Sequence, residues 1–252
     1  MKKTKQKYPK TILIKKYSLK RKIKNILKLI FLFFSITICT ILLSFAFGIG
    51  LFKCNYGFNA ATDYYVVFTT TEENTYDSSF ELAQQLKTRG AGGNIFEKNN
   101  NYWIIISVYA DNKKAKTVIE NLNEQNLTCN CTNMTIKADG MHLANDNQTI
   151  IKELYNLNIY TINNLLTLVE NLDKQKTTNI DARITIFSLY TQYQNTLEKH
   201  QNKKDKTVQS YLNKMINVQS LLYLLSHENK DNIRDFTSII RNYIFRMLQE
   251  LK

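Results

Sequence analysis

The residues best placed to do chemistry here are aromatic and hydroxyl side chains on two β-rich runs. The chemistry that suits them is binding. Tyr64 to Thr70 and Tyr102 to Tyr109 are aromatic and β-branched, as strands are. Alternation puts Tyr65, Val67 and Thr69 of the first run on one face, with Thr70 at its end. Trp103, Ile105 and Ser107 of the second run join them. Rings with neighbouring hydroxyls can stack on a pyranose and hydrogen-bond its edge. The same side chains could instead cover a protein partner or the region that follows in the chain, and both uses stay open on the residues alone.

Covalent or acid–base chemistry has no comparable signature. His142, His200 and His227 are far apart and fall near helix ends or links, where a solvated ring is expected. No HExxH, glycine-rich phosphate loop or nucleophile elbow occurs. Cys129 and Cys131 stand two apart in a strand, so they share a face and are poorly placed to bridge each other. Zinc would need a second ligand pair, which is missing. Four N-x-S/T sequons, at Asn126, Asn130, Asn133 and Asn147, are what so Asn- and Thr-rich a chain reaches by composition. The expectation is a protein that is not an enzyme and takes no cofactor or metal.

Two helices must hold those strands. Ser78 with Glu81 reads as a capping box, followed by Phe80, Ala83 and Leu86 at helical spacing up to Arg89. Gly90-Ala91-Gly92-Gly93 ends that helix. Asn94 to Lys98 is a short strand, and Asn99-Asn100-Asn101 a hairpin turn. Asp111 caps a second helix whose inner stripe is Ala115, Val118, Ile119 and Leu122. Thr128 to Ala138 alternates and closes the unit. The order is βαββαβ, and two helices would cover one sheet face and leave the other open. RNA-recognition modules share this order but need a positively charged sheet, so no nucleic-acid partner is expected.

The runs Tyr65-Val66-Val67-Phe68-Thr69-Thr70-Thr71 and Tyr102-Trp103-Ile104-Ile105-Ile106-Ser107-Val108-Tyr109, with the helix Glu81 to Lys87 between them, resemble the sporulation-related repeat (SPOR) domain. The resemblance covers residues 64 to 138. It implies a ferredoxin-like sheet domain that binds peptidoglycan, as glycan strands stripped of their stem peptides, at division or sporulation septa. The family's glycan-contacting glutamine falls on Val67 here, and the arginine of its third strand falls on Trp103. Both departures put a weaker hydrogen-bonding group where a sugar needs donors and acceptors.

From Met141 to Lys252 there is no Gly and no Pro. Four amphipathic segments are expected, at about 147–172, 180–200, 207–227 and from a capping Asp231 onward. Short polar links favour antiparallel neighbours in a helical bundle. It reads as a partner-docking bundle or as a stabilising extension of the sheet domain.

Leu29 to Phe52 is 24 residues without a charge. As a helix it spans roughly 36 Å, enough for a hydrocarbon core of about 30 Å. Residues 1–28 carry twelve Lys or Arg and no acid, whereas the rest of the chain holds 22 basic against 21 acidic residues. The basic tail therefore belongs in the cytoplasm, against anionic headgroups, with the chain beyond the span outside. An apolar core this long is an uncleaved anchor and not a signal peptide. The expected class is α+β: basic tail 1–28, transmembrane helix 29–52, linker 53–63, βαββαβ domain 64–140 and all-α bundle 141–252. Expected partners are peptidoglycan glycan, the lipid bilayer, and envelope or division proteins.

Overall fold

The computed structural model describes residues 58–252. The basic tail, the expected membrane span and the first part of the linker lie outside the described residues. Among the described residues, no helix is long and apolar enough to cross a membrane.

The β-rich runs form four strands, β1 (Asn59–Thr69), β2 (Asn94–Lys98), β3 (Asn101–Tyr109) and β4 (Cys129–Asp139). They make one antiparallel sheet in the order β2-β3-β1-β4. Helix α1 (Tyr76–Thr88) links β1 to β2, and α2 (Asn112–Glu124) links β3 to β4, which is the expected βαββαβ order. The end of the expected linker is strand: Asn59 to Asp63 pair with Asp139 to Thr135 of β4. Asn99 and Asn100 both take positive φ between the paired Lys98 and Asn101. Such a two-residue turn follows the right-handed twist of its strands, and Asn tolerates the left-handed region.

Helix α1 starts earlier than its capping box suggested. Thr75 is the N-cap and accepts from the Ser78 amide. The shift makes Ser79, Ala83 and Leu86 the buried stripe, and Phe80 is exposed, stacked on Tyr76. Gly93 is required where it stands: φ is +63°, and a Cβ would come within 3.0 Å of the Ala83 carbonyl oxygen. Asp111 caps α2 as expected, accepting from the Lys113 amide.

Four helices follow, α3 (Asn145–Asp173), α4 (Asn179–His200), α5 (Lys206–Ser226) and α6 (Ile233–Leu251). Their inner stripes are those the periodicity implies, among them Ile151, Leu154, Ile162, Ile186, Leu212, Met215, Phe236 and Ile244. The cap of α6 is Asn232 and not Asp231. His200 was expected in solvent, yet its side chain is buried, with Nε2 3.1 Å from Glu153. Burial pushes the Glu153 carboxyl upward. Hydrogen bonds and charge from Lys199 and His200 outweigh it and hold the group below its ordinary value.

Position 140 is a change of sequence pattern but not a break in the molecule. Tyr64, Val66 and Phe68 of β1, Ile105 and Val108 of β3, and Ile136 and Ala138 of β4 belong to the same core as α3 to α6. A second, smaller core lies under α1 and α2, built on Val67, Ala83, Leu86, Ile104, Ile106, Ala115 and Cys129. The sheet is therefore covered on both faces.

Candidate functional site

Seven residues were expected on an open sheet face, and the structure distributes them over two covered faces. Tyr65 and Val67 pack toward α1 and α2, whereas Trp103 and Ile105 pack toward the helices that follow. Two physical causes separate them. β1 is apolar on both sides, so alternation defines two faces without saying which receives the crossover helices. A β-bulge then breaks the alternation of β3. Val67 pairs with Ser107 but Phe68 pairs with Ile105, which leaves Ile106 as an extra residue. Ile105 and Ser107, two apart, thus face opposite ways.

Exposure decides what each can touch. Val67 and Ile105 are fully buried. Thr69 is 1 % exposed and spends its hydroxyl on the Thr128 carbonyl at 2.7 Å. Thr70 is exposed at the end of β1, and Tyr65 is half-buried. Trp103 lies flat on Phe68, with ring centroids 3.8 Å apart and planes 7° apart. Phe96 meets it edge-on, and Phe245 of α6 meets Phe96 at 5.7 Å. Lys98 Nζ sits 4.4 Å above the indole ring. These aromatic rings join the sheet to α6. A sugar platform on this face would require the helices to leave.

Ser107, although 4 % exposed, lines a concavity. It lies with Tyr109 in a cleft of about 860 Å³, between the end of β3 and the start of α2 on one side and the second half of α3 on the other. Apolar Val118, Leu166 and Val169 line it beside Asn163, Thr167 and several charges. Burial pushes the Tyr109 phenol up, partly offset by a hydrogen bond with Ser107 and by the charge of Arg241.

Two ionic bridges tie the cleft's walls. Lys114 of α2 reaches Glu170 of α3 at 3.0 Å, and Lys174 holds the other oxygen of that carboxylate at 2.5 Å. Arg241 of α6 donates to the Gly90 carbonyl and to Asp173, so one guanidinium links the α1–β2 turn, α3 and α6. Hydrogen bonds from Lys174 and Lys114 hold the Glu170 carboxyl at about 2. Its folded value is depressed, so the bridge is intact above the ordinary value near 4.5 and is lost as pH falls through about 2. Lys114→Ala should raise the Glu170 value towards 4.5, read from carbon chemical shifts in an NMR titration. An unchanged value would mean that Lys114 does not bridge the cleft in solution.

The cleft offers one phenol, hydroxyls, one amide and charges of both signs on a lining that is mostly apolar, which suits a ligand with an apolar face and polar edges. Among the described residues, no cluster of His, Cys, Asp or Glu could hold a metal ion. Cys129 and Cys131 are free thiols on the α1–α2 side, and burial pushes the Cys129 thiol up to about 11, a poor nucleophile. Lys114, Glu170, Asp173 and Arg241 gave no sequence signal. They come from α2, α3 and α6 and meet only through tertiary packing. Arg241 carried the nearest thing to a hint, a cation beside the buried stripe of Ile240, Tyr243 and Ile244. No protein-family model, curated protein or solved structure matches this chain.

Proposed function

We propose that this chain is a single-pass membrane-anchored envelope protein that works by binding and not by catalysis. Its amino terminus lies in the cytoplasm, and its sheet and helices stand outside the membrane as one interaction body. The anchor rests on the uncharged run Leu29 to Phe52 and the twelve cations that precede it. The choice of a protein-interaction scaffold over a glycan reader rests on one observation. The sheet face on which the SPOR resemblance would seat a glycan is filled by α3 to α6.

A glycan reading survives in a different place, and the cleft is what favours it. Tyr109 and Ser107 beside Asn163, Thr167 and carboxylates form a lining that could stack on a sugar and hydrogen-bond its hydroxyls. Co-sedimentation of the full chain, in detergent, with cell-wall sacculi separates the two. The scaffold reading expects no pelleting above a control membrane protein, before or after an amidase strips the stem peptides. Pelleting that increases after amidase and is lost in Tyr109→Ala would overturn it and make the cleft a peptidoglycan site at a division or sporulation septum.

A further inference from the structure

Helix α4 carries a second apolar stripe that points away from the core. Ile180, Ile184 and Phe187, at i, i+4 and i+7, are 66, 63 and 55 % exposed. The stripe continues onto the neighbouring helix. Phe187 meets Tyr190 at 6.0 Å, and Tyr190 meets Tyr223 of α5 at 5.6 Å. Tyr223 is itself 47 % exposed. No described element covers these rings and branched chains.

The surface around them lacks charge. No Asp, Glu, Lys or Arg occurs from Ile184 to Leu197 or from Met215 to Ser226, although 22 % of the chain is charged. The outward positions between the apolar groups are small or uncharged polar residues such as Ser188, Gln192 and Ser220. Arg183, the nearest cation on α4, is turned to the Lys230 carbonyl and the Phe236 ring. Solvated helix faces normally carry charges, and a charge-free apolar face marks a surface that is covered in use.

We propose that this α4–α5 face is the interface through which two copies of the chain associate about a two-fold axis. Three observations choose a second copy over other occupants. A lipid-binding face would carry Lys or Arg along its flanks, and from Ile184 to Leu197 of α4 and from Met215 to Ser226 of α5 there is none. A face that carries no charge from Ile184 to Leu197 meets its own image without repulsion along that length, and residues 58–252 hold 21 basic and 21 acidic groups, so the bodies do not repel as wholes. The area also fits. From Ile180 to Asn195 two adjacent helices present roughly 24 Å by 20 Å, close to 1,000 Å² for a pair, the lower bound of a specific interface. Association should therefore be micromolar in solution and stronger between chains confined to one membrane.

The test is the mass of the full chain in mild detergent, by light scattering across the micromolar range, for the wild type and for the double variant Ile184→Glu/Phe187→Glu. Both positions are exposed, so helix content and melting temperature should be unchanged. The expected result is a concentration-dependent dimer whose dissociation constant rises at least about tenfold in the variant. A wild type that stays monomeric overturns the proposal. So does a dimer that persists in the folded variant, which would place the contact in residues 1–57 or elsewhere. Should the double variant lose structure, Ile184→Gln serves in its place under the same criteria.

Discussion

Residues 58–140 expressed without α3 to α6 are expected to aggregate or remain unfolded, although their sequence pattern is that of a complete βαββαβ domain. Tyr64, Val66, Phe68, Ile105, Val108 and Ile136 are all buried beneath the helices that the truncation removes. Covering a large apolar side chain contributes about 1.5–3 kcal/mol, so losing six such contacts removes on the order of 10 kcal/mol. That is comparable to the whole stability of an ordinary domain, about 5–15 kcal/mol. The truncation also cuts Arg241 from Gly90 and Ser238 from the Ala91 carbonyl, a 2.6 Å bond. Amide dispersion in an NMR spectrum of the 58–140 fragment checks this. A soluble fragment with native dispersion would mean that the sheet domain is independent and its second face can be uncovered.

Trp103→Ala is expected to destabilise the protein by about 3 kcal/mol, the lower end for removing a packed aromatic residue because the indole is only partly buried. The loss combines burial with the parallel stack on Phe68, which is worth about 1 kcal/mol. Phe96 would lose its neighbour as well, loosening the link to Phe245 on α6. Trp103→Phe keeps a ring in the stack and should cost about 1 kcal/mol. Urea denaturation followed by circular dichroism measures both. If the Ala variant unfolds at the wild-type urea concentration, the indole does not fasten sheet to helices, and a role in contacting a ligand returns.

Much of this architecture is legible in the residues. Periodicity located nine of the ten described elements to within a few positions and the second half of β1, because amphipathic stripes such as Ala115–Leu122 and alternation in Thr128–Ala138 are properties of single segments. The absence of Gly and Pro after Met141 announced the four helices. The uncharged run 29–52 and its basic flank, from which the membrane anchor is proposed, are also local features.

The placement of the candidate site was not local. Whether Val67 or Phe68 faces the crossover helices cannot be read from a strand that is apolar on both sides. The bulge that parts Ile105 from Ser107 arises only when β1 and β3 pair. His200, at a helix end, looked solvated until α3 brought Glu153 to it. The cleft has no local signature, since the β3–α2 segment on one side is distant in sequence from α3 and α6, which supply the rest. Sequence by itself determined the elements, the charge asymmetry and the apolar stripes. Tertiary structure decided which stripes meet. It spent the sheet's second face on the bundle and left the outer face of α4 and α5 uncovered, because apolar surface on its own does not name its partner.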